Sequence, residues 1–424
     1  MRFVFVSYAE RTHFLSMVPL AWALTVAGHE VRVAAQPELV DTVTRAGLTA
    51  VPVGRDHSLW RTLQLHPDVF ELVRDGRLPP FDMAETPPEE ITWEALKNGY
   101  DRVVPWWWRL ANDPMIEELT EFCRAWRPDL VIWEPATFAG PIAANACGAA
   151  HARLLWSVDL FGQMRGHYRR LNDLRPEGDR PDMLAEWLDQ WARKFGGGFS
   201  EEMTTGHFTL DQLPPMLQLD LPLPYVPMRY VPYNGVSVVE RWVWEQPERP
   251  RVCLTLGTSA TDRFGGYSIS LGEIFDALAD LDIELVATAP DADRAAIGPV
   301  PANVRLVGYV PLHALVQSCA AAIHHGGWGT ICTIAISGPV PQLVLHEQFD
   351  APFLGHRIAD CGAGLAAPMA TVTGEEIRQG LLRLLAEPQF GEGAGRLRAE
   401  MMSRPTPQEI VPALGTLTAM FKPG

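Results

Sequence analysis

Ile323-His324-His325-Gly326-Gly327-Trp328-Gly329-Thr330 follows the apolar run Cys319 to Ile323 and precedes Ile331 to Ser337. The first run reads as a buried strand and the last as the start of a helix. Glycines at such a junction let backbone N–H groups approach a ligand closely. The helix N-terminus adds partial positive charge, and Thr330 adds a hydroxyl. This is the chemistry of an anion site, most often for phosphate. The stretch carries two histidines and lacks the GxxxxGK[ST] pattern, which excludes a nucleoside-triphosphatase loop.

The same alternation recurs outward from that turn. The chain opens with a strand from Arg2 to Ser7, a helix from Phe14 to Ala27, a strand from His29 to Ala34, a helix from Pro37 to Gly47 and a strand from Leu48 to Val53. Further strands are expected at Pro128 to Glu134 and Ala152 to Trp156, with a helix from Phe138 to Cys147 between them. A second block starts at Arg251, with strands at Val252 to Leu256, Ile283 to Thr288, Val304 to Val307, Cys319 to Ile323 and Val340 to Leu345. Strands alternating with helices predict α/β architecture and parallel sheets. The simplest account is two doubly wound, Rossmann-like domains facing across a cleft, with ligands at the carboxyl ends of the strands. Residues 56–115, rich in proline and aromatics, and 160–235 break the rhythm and read as irregular. Residues 233–250 read as a linker. The division is therefore 1–232, the linker 233–250, 251–404, and a terminal helical segment 405–424 returning to the first domain.

Composition sets limits. The 424 residues are 47% hydrophobic and 20% charged, ordinary for a globular protein, and carry a net charge of -16. That sign disfavours nucleic acid and anionic membranes as partners. No run reaches the roughly 18 apolar residues of a membrane span, and the N-terminus lacks a signal-peptide pattern. The six cysteines are scattered without a CxxC pair and read as reduced core thiols of a cytoplasmic protein.

Several residues carry candidate chemistry. His13, in the first strand-to-helix connection, faces the expected cleft and is a candidate general base, though a surface or helix-capping histidine is as common. Glu134, at the end of a strand on the same rim, can orient it. Gly257-Thr258-Ser259 ends a strand and can face the same ligand as the histidine-glycine turn. Asp350 can grip hydroxyl or amino groups of a ligand, or simply cap a helix. Asp291-Ala292-Asp293 resembles a metal-binding DxD but lacks a nearby histidine and is discounted, so no metal site is expected. Trp106-Trp107-Trp108 reads either as an apolar acceptor wall or as core.

Taken in order, the segments at residues 13–39, 122–144, 150–160, 240–257, 303–330 and 340–350 resemble the GT-B glycosyltransferases that decorate natural products. The match is nearest to the desosaminyltransferase group of macrolide pathways and spans nearly the whole chain. The resemblance implies an inverting, metal-independent transfer of a deoxysugar from a thymidine-diphosphate donor to a polyketide aglycone, with no cofactor. It makes His13 the base and His325 the contact to the diphosphate. Gly327, Gly329 and Thr330 form the phosphate-facing turn, and Thr258 and Ser259 the first loop of the donor half. Val310 lies near the nucleotide base and Asp350 near the sugar; Trp106 and Trp107, read from the residues themselves, are the expected acceptor contacts. Ala351 stands where the broader family often has Gln after its acid. The relatives imply a helper related to cytochromes without a haem role, docked by the stretch after residue 56; a homodimer is a further expected assembly. A catalytically silent GT-B subunit and a sugar-nucleotide epimerase are the competing readings. Retention of His13, His325 and Asp350 together disfavours the first. The second needs acid and base groups around the sugar and no acceptor pocket.

Overall fold

Two fully parallel sheets build the protein. The computed structural model describes every residue except 75–77, 258–265, 267, 291–293, 295, 296, 298, 299, 348, 423 and 424. The first sheet contains β1 (Arg2–Ser7), β2 (Glu30–Ala35), β3 (Ala50–Pro52), β4 (Leu130–Trp133), β5 (Ala150–Leu154), β6 (Phe208–Asp211) and β7 (Tyr225–Pro227), in the order β3-β2-β1-β4-β5-β6-β7. The second contains β8 (Arg251–Thr255), β9 (Glu284–Thr288), β10 (Val304–Val307), β11 (Cys319–His324), β12 (Gln342–His346) and β13 (Gly364–Pro368), in the order β10-β9-β8-β11-β12-β13. Counted from its own first strand, the second sheet has the order 3-2-1-4-5-6, and the first sheet adds one strand to it. This is the doubly wound arrangement, which places both switch points at strand carboxyl ends.

Burial explains why these runs are strands. Every residue of β4, Leu-Val-Ile-Trp, is buried, as are Phe3 to Ser7 of β1. Helices cover both faces of such sheets, so the central strands read as continuous apolar runs rather than as alternation. The last helix, Val411–Phe421, buries Ile410, Val411 and Leu414 against Phe3, Phe5 and Leu154 of the first sheet. Arg404, just before it, donates to the Asp211 carbonyl at 2.7 Å. No helix among the described residues is long and apolar enough to cross a membrane.

Two stretches differ from the irregular segments expected of them. Residues 56–115 hold the helices Leu59–Gln64, Pro67–Arg74 and Trp93–Val103, and a π-helical turn from Val104 to Arg109. Residues 160–235 hold the helices Leu160–Asp173 and Met183–Lys194 together with β6 and β7. Both strands are short, and prolines 222, 224 and 227 crowd the second, so neither shows a readable period. The expected first helix is also two, Arg11–Leu15 and Val18–Val26, with Pro19 in the first turn of the second.

Asp159 fixes the start of the helix Leu160–Asp173. Its Oδ1 accepts from the Gly162 N–H at 2.8 Å, while Oδ2 accepts from the Tyr225 hydroxyl at 2.6 Å and pairs with Arg153. Arg153 and Asp159 are both fully buried, so removing one charge strands the other. Asp159→Ala is expected to lower the unfolding free energy by about 3–5 kcal/mol in urea denaturation. Asp179→Ala, which breaks an exposed pair with Arg175, is expected to change it by less than about 1 kcal/mol.

Candidate active site

The carboxyl ends of β1, β4 and β5 meet around one buried carboxylate. Glu134, directly after β4, has no solvent exposure. Its Oε2 accepts from the Ala136 N–H at 3.0 Å and the Trp156 indole N–H at 2.8 Å, and its Oε1 accepts from the Thr137 hydroxyl. His13 Nδ1 lies 3.1 Å from Oε2, in close but off-line contact. The imidazole stacks on Trp156, with ring centroids 4.3 Å apart at 17°, and meets the edge of Tyr8 at 5.5 Å. With Nδ1 held against the carboxylate, Nε2 is the nitrogen left to take a proton. His13 sits in the helix Arg11–Leu15 and lines the cleft.

Across the cleft stands the histidine-glycine turn. Its helix runs from Trp328 to Ser337 with Gly327 as N-cap, three residues earlier than the apolar pattern alone suggests. Thr330 and Ile331 already donate to the Gly327 carbonyl, so the N–H groups ahead of them are those a ligand meets. Glycine at 257 and 327 is a steric requirement. A Cβ on Gly257 would fall 2.7 Å from the His325 ring, and one on Gly327 would fall 2.4 Å from its Nε2. Gly257 also has φ +74, a conformation that disfavours a side chain.

The two neighbouring histidines do different things. His324 Nδ1 accepts from the Gly326 N–H at 3.1 Å, so Nε2 carries the hydrogen and donates to Gln342 Oε1 at 2.9 Å. This pins the turn to β12. The sequence pattern gave His324 no such role.

The cleft between the sheets has a volume of about 650 Å³. His13, Trp106, Trp107, Val310, His325, Gly327, Gly329, Thr330 and Asp350 all line it. Glu134 lies behind His13, outside the lining. Trp108, in contrast, is buried in the core between Phe81, Tyr100 and Phe138, so the tryptophan run divides between wall and core. Thr258, Ser259 and the Asp291-Asp293 pair lie outside the described residues.

Asp350 is the N-cap of the helix Ala351–Asp360 by position, but its side chain makes no capping bond. It accepts instead from the Ser157 hydroxyl of the other domain. Glu347, three residues earlier, also lines the cleft, and among the described residues nothing bonds its buried Oε2. Sequence reasoning passed over it, since two acids so close in one loop cannot be ranked by spacing.

Burial shifts the charges here. It pushes His324 down to about 3 and His325 down to about 4, so both are neutral at pH 7. It pushes the Asp350 carboxyl up to about 6, against the hydrogen bond from Ser157. A histidine whose folded pKa is depressed favours the fold fully above its unfolded value of about 6.5, and loses that contribution as pH falls toward the folded value. The buried carboxyls of Asp350 and Asp211, both raised to about 6, act with opposite sign over an overlapping range. The difference between variants therefore reports the histidine. His324→Asn is expected to cost clearly more stability at pH 7 than at pH 4.5 in urea denaturation. An equal cost at both would contradict a neutral buried imidazole.

Comparison with known proteins places this architecture. Residues 22–257 match the family model of the erythromycin biosynthesis protein CIII-like N-terminal domain, and residues 272–417 match that of its C-terminal domain. The chain is 47% identical to a 10-deoxymethynolide desosaminyltransferase of Streptomyces venezuelae, over 100% of this chain and 98% of that one. It is 41% identical to an aclacinomycin-T 2-deoxy-L-fucose transferase of Streptomyces galilaeus, over 99% and 96%. Among solved structures, the glycosyltransferase VinC in complex with DTDP superposes with a TM-score of 0.88 at 39% identity, covering 99% of this chain and 100% of that one. The spinosyn forosaminyltransferase SpnP superposes at 0.82 with 36% identity, covering 99% of each. The parallel double-sheet fold, the cleft and these matches agree: the chain belongs to the erythromycin biosynthesis protein CIII-like family of GT-B glycosyltransferases.

Proposed function

We propose that this enzyme transfers a deoxysugar, an amino sugar in the reading nearest to its relatives, from a thymidine-diphosphate donor to a hydroxyl of a polyketide aglycone, with inversion. The observation that carries the proposal is the opposition of His13 and the turn Gly327-Trp328-Gly329-Thr330 across one cleft. Relatives named as desosaminyl, mycaminosyl and daunosamine transferases support the sugar class, and the DTDP complex of VinC supports the nucleotide.

In this mechanism the donor half, residues 251–404, holds the diphosphate. The exposed N–H groups of the helix Trp328–Ser337 and its dipole offset the charge that builds on the leaving group. His325, neutral before the donor arrives, contributes an N–H rather than a fixed positive charge. Val310 and the loop carrying Thr258 and Ser259 serve the nucleotide. The open oxygen of Glu347 and the carboxyl of Asp350 serve the sugar. The acceptor half, residues 1–232, presents Trp106 and Trp107 as an apolar wall. His13 Nε2 takes the proton of the acceptor hydroxyl while Glu134 holds the ring and balances the imidazolium. The oxygen then attacks the anomeric carbon on the face opposite the diphosphate. The reading routes no step through a metal or a cofactor. It retains the cytochrome-like helper and a homodimer as partners implied by the family resemblance.

A transfer assay with a thymidine-diphosphate amino deoxysugar, a polyketide aglycone and the helper tests the reading. An epimerised donor without acceptor would contradict it. His13→Ala is expected to lower turnover about 100-fold while thymidine-diphosphate affinity by calorimetry stays unchanged. Gly327→Ala is expected to do the reverse first, weakening nucleotide affinity about tenfold or more, because its Cβ must displace the His325 ring.

A further inference from the structure

Phe349 reaches from the donor half into a socket made by the acceptor half. Its ring lies 5.8 Å from Phe81, 6.2 Å from Trp107, 5.9 Å from Trp156 and 6.2 Å from Phe161. Its backbone has φ +52, one of only two positive values at non-glycine residues among those described. A bulky side chain in that region is unfavourable, so surrounding contacts must hold it there. The next residue, Asp350, accepts from the Ser157 hydroxyl. Six residues further on, His356 Nδ1 lies 2.9 Å from Glu85, on the segment that also supplies Phe81. One loop of the donor half and the helix that follows it thus grip the acceptor half at three points.

Trp156 links this grip to the chemistry. One end of its surroundings is the Phe349 ring, at an interplanar angle of 32°; the other is His13, stacked at 17°. Its indole N–H is fixed on Glu134. We propose that Phe349 is a positioning residue: when the halves close, its ring sets Trp156 and thereby the orientation of the His13 base toward the acceptor hydroxyl. The inference rests on His13 being the base. It assigns to the donor half a direct say in how the acceptor half's catalytic group is aimed, so that a chain with its halves apart holds a misaligned base.

The test is a double-mutant cycle on turnover. Phe349→Gly removes the ring and leaves a residue that accepts φ +52 freely, so the loop keeps its path. Phe349→Leu keeps apolar bulk without the ring. Both are expected to lower kcat at least about tenfold with thymidine-diphosphate affinity unchanged in calorimetry. In a His13→Ala background the same changes are expected to cost less than about twofold, since the base they aim is gone. Turnover within about twofold of the parent in both single variants overturns the proposal. So does an equal loss with and without His13, or a matching loss of nucleotide affinity, each of which marks a residue that acts by structure or by direct contact from the cleft wall rather than through His13. If His13→Ala alone leaves turnover unchanged, the base assignment itself falls, an outcome distinct from the other three.

Discussion

One buried carboxylate organises the acceptor side of this molecule. Glu134 stands at the end of β4, takes hydrogen bonds from Ala136, Thr137 and Trp156, and faces His13 in the short helix after β1. Trp156 follows β5, so three adjacent parallel strands deliver their ends to a single oxygen pair. An ionised carboxylate without such donors would be costly to bury. One of the bonds that make it tolerable, from the Trp156 indole, also fixes the ring on which the imidazole stacks.

The histidine-glycine turn across the cleft is organised by the opposite strategy, the exclusion of charge. His324 and His325 are held neutral by burial, and no lysine or arginine of the described residues lies in the turn. Within the turn itself, positive potential comes from backbone N–H groups and the helix dipole, which need no counter-ion and are already oriented; the arginines that line the cleft, Arg11 and Arg102, stand on the other half. Gly257 and Gly327 both pass so close to the His325 ring that a Cβ on either would collide with it. In the proposed mechanism, a neutral cradle on one domain and a clamped imidazole on the other give the cleft its direction, from acceptor proton to departing diphosphate.

Much of this was legible in the chain. The strand, glycine turn and helix around His325 follow from local chemistry, and the alternation of Arg2 to Val53 and Arg251 to Leu345 fixes parallel sheets. His13 and Glu134 could be placed on one rim because both follow strands. Other features have no local signature. β6 and β7 take their structure from a neighbouring strand edge rather than from a pattern of their own. Trp106, Trp107 and Trp108 are chemically identical, and only packing separates wall from core. Glu347 and Asp350 occupy one loop, and only the folded chain shows which serine each meets, Ser268 for Glu347 and Ser157 of the other domain for Asp350. The positive φ of Phe349 is invisible without a glycine to announce it.

The claim on which the account turns is in-line displacement, with base and leaving group on opposite sides of the sugar. The anomeric configuration of the product tests it most directly. A thymidine-diphosphate deoxysugar of known configuration, a polyketide aglycone and the enzyme, with and without a candidate helper protein, would be incubated, and the product's anomeric proton coupling read by nuclear magnetic resonance. Inversion is the predicted result. A product that keeps the donor's configuration would contradict the placement of His13 and the histidine-glycine turn as two ends of one displacement.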